Sequence, residues 1–187
     1  LKAFRNGRRS VIDALRRTAI KSTLFDRSAK MILKLAIAEN EAYSNNATGE
    51  FADLFSNGCG PIAASQASPT SRLPILHSVA ISESQVEQMI AVQAISVSLH
   101  PRMTKFFSVR DSDLLHEDTY GWMPKTQDEL WDAYRQAWNL AMECLMRYKG
   151  EVRNKLVKEM EKALFVLLPF TNNKLEVIEW IRDFINT

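Results

Sequence analysis

A chain of 187 residues that is 46% hydrophobic and 25% charged has the composition of a folded globular protein, not of a disordered one. Its longest apolar runs, such as Ala163–Leu168, are far too short to span a bilayer, and the basic start LKAFRNGRRS has no apolar stretch of a secretory signal. The net charge of +2 hides an asymmetry: residues 1–34 carry ten basic residues against Asp13 and Asp26, for +8, and the remainder carries 14 basic and 20 acidic, for −6.

In chain order, RRSVIDALRRTAIK predicts a first helix with Val11, Ile12, Leu15 and Ala19 on one face and arginines on the other. A second helix starts at Asp26 or Ser28 and sets Ala29, Ile32, Leu33, Ala36 and Ile37 on its apolar side. The turn Ser44–Gly49 follows, small and amide-rich, before a short helical face of Phe51, Leu54 and Phe55. In that turn the amides of Asn45 and Asn46 can bond to backbone groups, and Gly49 can take a positive φ, so it reads as a structural corner. Residues 56–71, punctuated by Gly58, Gly60, Pro61 and Pro69, read as a long loop or linker that could separate sub-units 1–55 and 72–187 of a single module spanning 1–187.

Arg72 to Ile81 predicts a short helix, and Ser82 with Gln85 forms a capping box opening another that runs to about Leu99. Residues 102–123 are irregular. Thr126 with Glu129, after Pro124, gives the strongest helix start in the chain. The long helix that follows has the stripe Leu130, Tyr134, Trp138, Ala141 and Leu145, and Gly150 is its stop. A helix from Val152 to Leu168 ends at Pro169, and a last one from about Lys174 presents Leu175, Ile178, Ile181 and Ile185. No stretch alternates as a strand does. The expected fold is all-α: seven or eight helices in an irregular array, with a HEAT-like α-solenoid as the regular alternative.

Candidate chemistry is sparse. DSDLLHED puts Asp111, Asp113, His116, Glu117 and Asp118 within eight residues, a set that could hold a divalent cation, or could simply be a solvated loop. His77 and His100 lie near predicted helix ends without a paired nucleophile, and Cys144 reads as a core thiol. Cys59 sits in the Gly-rich loop, where a thiol could be accessible. With two distant cysteines and no CxxC, a reducing, cytoplasmic setting is expected, in which the sequon Asn46-Ala47-Thr48 carries no glycan. Neither GxxxxGK[ST] nor GxGxxG occurs, so no nucleotide cofactor is implied. Arg5, Arg8, Arg9, Arg16 and Arg17 could contact the phosphates of a nucleic acid, or form a solvated or interdomain face. Trp131, Tyr134 and Trp138 crowd one helix; packing is the default for such residues, and a face turned to a protein partner is the alternative.

Two segments, RRSVIDALRRTAIKSTLFDRSAKMILKLAIAENEAYSNNATGEFADLF and YGWMPKTQDELWDAYRQAWNLAMECL, together resemble a pattern in large bacterial proteins of the STAND NTPase type, linked with defence against phage. In those proteins an "ALxxLA" helix precedes "LFxxAARLLLRLAxAENExxxNNATGxFxxLF", and "WxPKTxxExWxxYRxAL" follows. The resemblance implies a helical, repeat-like sensor region whose nucleotide and effector residues lie elsewhere in a longer polypeptide. A start at Leu1 rather than methionine fits that expectation. The functional expectation is therefore a non-enzymatic module that recognises a protein partner or neighbouring domain, with nucleic-acid binding through the N-terminal arginines as the alternative.

Overall fold

Helix α1 (Arg8–Ala19) buries Ile12 and Ala19 against helix α2 (Phe25–Ile37), which contributes Phe25, Ala29, Ile32 and Ala36. The computed structural model describes residues 7–38, 46–101 and 121–187. Helix α3 (Ala47–Asp53) lies on α2, and with the turn after it sends Phe51, Leu54 and Phe55 inward as the sequence spacing predicts. Phe55 meets Phe25 edge-on at 6.2 Å and Phe51 at 5.1 Å, an arrangement that suits the ring quadrupoles.

Helix α4 (Pro69–Ala80) begins three residues before the predicted start: Ser68 caps Ser71 N–H at 3.2 Å, and Pro69 at the first helical position has no N–H to satisfy. Helix α5 (Gln85–Leu99) is capped by Ser84, not Ser82, through a 3.4 Å bond from Glu87 N–H. Glu87 also places a carboxylate at the positive end of the helix, while Ser84 N–H donates to Ser82 Oγ at 3.1 Å. Val86, expected on the buried face, is exposed, whereas residues 94–99 at the end of α5 are all buried. That is the pattern of a helix surrounded by others: α5 touches α2, α3, α4, α6 and α7.

Helix α6 (Gln127–Arg147) opens as predicted, with Thr126 Oγ1 accepting from Glu129 N–H at 3.1 Å and Glu129 accepting in return from Lys125 N–H. Gly150, at φ +56°, separates it from helix α7 (Gly150–Phe170), and helix α8 (Lys174–Ile185) closes the described chain. Among the described residues there are eight α-helices, two short 3-10 turns and no strand. The protein is all-α. Its helices pack mainly on their first and second neighbours along the chain, as α3 does with α5 and α5 with α7, and α5 also reaches back to α2. The arrangement is an all-α helical array.

The stretch read as a linker is instead interior. Ser56, Asn57, Gly58, Ala63, Ala64, Ser65 and Ala67 are all buried. Small side chains let this backbone lie against other backbone, and its polar groups are matched there. Ser65 Oγ donates to Ala19 O at 2.7 Å, Gln66 N–H to Ile20 O at 2.8 Å, and Asn57 Nδ2 to Ser98 O at 2.8 Å. The segment at Gly121–Met123 lies across it: Gly60 N–H donates to Trp122 O and Trp122 N–H to Ser65 O, both at 2.8 Å. A Cβ on Gly121 would fall 2.4 Å from that of Ala63, so only glycine fits. A single cluster of buried side chains includes residues from Ile12 to Trp180, on both sides of the 56–71 loop.

Candidate functional site

The amide-rich turn proves to be a helix cap. Asn46, extended at φ −76° and ψ 167°, accepts from Gly49 N–H at 2.7 Å through its side-chain oxygen, which satisfies a free donor in the first turn of α3. Gly49 lies inside α3 and is not among the positive-φ glycines, so the expectation of a left-handed Gly49 is corrected. What a side chain there would meet is the cap: a Cβ would sit 3.1 Å from Asn46 Oδ1. Ala47 is completely buried, as a close helix approach requires. Asn45 lies outside the described residues.

The basic helix does not present one phosphate-facing surface. Residues 8, 12, 15, 16 and 19 share the inward side of α1 at helical spacing, so two of the arginines point with the core residues. Arg8 Nη2 donates to Leu35 O on α2 at 2.7 Å. Arg16 Nε pairs with Glu50 on α3 at 3.2 Å, and the Glu50 side chain is only 3% exposed. Arg9 and Arg17 are exposed, with Asp13 between them on the same face. The five-arginine surface expected from the sequence is thus corrected to a split one, two of its members being spent inside the fold; Arg5 lies outside the described residues. Periodicity counted Arg8 and Arg16 as outward because charge is the usual mark of a solvated face. The signal that could have found the pair is Glu50, an acid beside the buried Phe51 and Ala52 of α3.

The aromatics on α6 are also turned inward, which corrects the alternative of a partner-facing surface. Trp131 is 6% exposed, Tyr134 2% and Trp138 2%. Trp180 of α8 slots between the two tryptophans, with centroid distances of 5.4 Å to Trp131 and 5.2 Å to Trp138 and rings within 8° of parallel. Seven residues of helix rise about 10.5 Å, which leaves room for one indole between them. The stack is anchored at its edge: Glu176 of α8 accepts from Trp131 Nε1 at 2.6 Å and from Arg135 Nε at 2.5 Å. The hydrogen bond from Arg135 holds the Glu176 carboxyl below its ordinary range. Burial, then proximity to Cys59, pushes the Tyr134 phenol upward, so it stays neutral.

Seating Trp180 rotates α8 so that Val177 and Trp180 are its buried residues. The apolar stripe predicted for this helix is consequently on the outside: Leu175 is 80% exposed, Ile178 52% and Ile185 75%. Ile181 alone of that set is half-buried.

No protein-family model, curated protein or solved structure matches the chain. The site must therefore be judged on its own chemistry. His77 pairs with Glu143 at 3.2 Å in the open, and His100 Nδ1 donates to Ser96 O at 2.7 Å at the end of α5. Among the described residues, the partner of each is a carboxylate or a backbone carbonyl rather than a nucleophile. Cys144 is fully buried, and burial raises its thiol to about 11. Among the described residues no group of three His, Cys, Asp or Glu side chains could hold a metal ion; the acidic cluster Asp111–Asp118 lies outside those residues. No helix among them is long and apolar enough to cross a membrane.

One residue that sequence reasoning passed over stands out. Arg72, treated only as a helix start, is 1% exposed, with its guanidinium donating to Leu54 O and to Ser56 O at 3.0 Å. These are carbonyls at the C-terminal end of α3, where the helix dipole is negative. No carboxylate among the described residues pairs with it. Burial alone lowers it to about 9, still charged at neutral pH.

Proposed function

We propose that the chain is a non-enzymatic, cytoplasmic helical interaction module of a larger bacterial signalling or defence protein, of the STAND NTPase-like kind its sequence resembles, and that it works by recognising a protein partner or neighbouring domain. The observation that carries this reading is the outer face of α8. Leu175, Ile178 and Ile185 form an exposed apolar stripe on a helix whose other side is locked into the core by Trp180. Water contact with such a stripe is unfavourable, by about 25 cal/mol per Å² of apolar surface, and a rigidly docked helix cannot turn it inward. A surface of this kind marks a place where another helix or domain docks.

The nucleic-acid alternative loses ground because Arg8 and Arg16 are engaged within the fold. The test is a photo-crosslinker in place of Ile178 in cells making the native protein. The reading expects a crosslink to a protein or to another segment of the same polypeptide, lost when Leu175→Glu and Ile185→Glu are added. No crosslink, or salt-sensitive nucleic-acid binding that survives both substitutions, overturns it.

A further inference from the structure

The exposed side of α8 is patterned as well as apolar. Leu175, Ile178, Arg182 and Ile185 are all exposed. They follow one another at intervals of three, four and three residues, the a and d spacing of a helix that packs along a second helix. Val177 and Trp180, which fasten α8 to the core, lie on its other side. One member of the seam is charged. Whatever covers it must offer apolar side chains along the seam and an acid near Arg182, because a guanidinium taken out of water without a counter-charge is costly.

Helix α8 supplies that acid itself. Glu179 is exposed beside the seam and, among the described residues, has no ion-pair partner. Arg182 meets the adjacent Asp183 at 3.5 Å, a contact between two exposed groups that contributes little. When two copies of α8 are laid antiparallel and cross at Trp180, Leu175 faces Ile185 of the second copy, and Arg182 faces its Ile178, one position from its Glu179. Two-fold symmetry makes each contact twice. The stem of Arg182 then lies over Ile178 while its head reaches Glu179. A parallel pair would instead set Arg182 against Arg182, so charge selects the antiparallel one. The flanking acids Glu179 and Asp183 also repel the anionic surface of a membrane.

We propose that α8 pairs antiparallel with α8 of a second copy of this chain, making the module a weak homodimer. This rests on the reading of α8 as a docking face and names what docks there. So short a seam buries less than the roughly 800 Å² per partner of a stable complex, and a dissociation constant of about 100 µM is expected.

Sedimentation of the full chain at concentrations spanning that value should show reversible dimers. Arg182→Glu and Glu179→Arg, each alone, should weaken them by about tenfold or more, since each sets like charges together twice in the pair. In a parallel pair, Glu179→Arg would leave the Arg182 layer as it is. Mixing the two variants should restore dimers, because each offers the sign that the other lacks. Restoration also shows that both variants are folded. A chain that stays monomeric at about 1 mM, a variant that dimerises unaltered, or a mixture that fails to dimerise overturns the pairing. A crosslink from position 178 to a different protein in cells, without self-association, overturns the pairing and leaves the interaction reading standing. Absence of both overturns both.

Discussion

Replacing Trp180 with alanine should release α8 from the rest of the molecule. The side chain is 7% exposed and has an indole on each face, at 5.4 and 5.2 Å. A buried aromatic removes about 150–250 Å² from water, worth about 4–6 kcal/mol as an upper bound, and each ring pair adds about 0.5–1.5 kcal/mol. Core Trp→Ala changes cost about 3–5 kcal/mol once partial relaxation is included. Against this, α8 has only 12 residues, too few for a stable isolated helix in water, and Val177 is its only other fully buried residue. The loss of docking energy should thus exceed what holds α8 in place. Hydrogen exchange should show peptides from 174–185 losing protection while those from the buried end of α5, residues 94–99, keep theirs. Leu175→Ser, on the opposite side of the same helix, should change stability by less than about 0.5 kcal/mol. Unchanged protection of 174–185 in Trp180→Ala, with a stability loss below about 1 kcal/mol, would refute the view that this stack is what docks α8.

Two further predictions probe charges inside the array. Arg16→Met should cost about 2–3 kcal/mol in urea unfolding, because it strips the buried Glu50 carboxylate of its guanidinium, whereas Arg17→Met on the exposed side should stay within about 0.5 kcal/mol; equal losses would contradict the split of the basic helix. Glu159 supplies a pH test. Partial burial pushes its carboxyl upward, but hydrogen bonds from Lys162, Ser96 and Lys155 together outweigh this and hold it down at about 2, against an ordinary 4.5. A depressed carboxylate contributes stability that is complete above the ordinary value and is lost as pH falls toward about 2. Glu159→Gln should flatten the pH dependence of unfolding between about 4.5 and 2, and an unaltered slope there would show that Glu159 does not contribute.

Local pattern carries much of this fold. The 3.6-residue recurrence of apolar side chains placed most helices, and Thr126 with Glu129 marked one of their starts by chemistry that acts within one turn. The all-α class follows from the same short-range information.

What the sequence could not decide depended on partners far along the chain. Periodicity says that a side of α8 is apolar, but both sides are, and the choice fell to the slot that Trp131 and Trp138 leave for Trp180. A small-residue, Gly- and Pro-marked segment reads as a linker until Ala19, Ile20, Ser98 and Trp122 are seen to satisfy its backbone. Charge reads as solvent-facing until Glu50 and the α3 carbonyls bring Arg16 and Arg72 inside. Which segments coil into helices was legible locally, since that rests on neighbours within a few residues. Which face each helix hides was settled by long-range packing, because that choice belongs to whichever distant group makes burial of a tryptophan, an arginine or a bare backbone favourable.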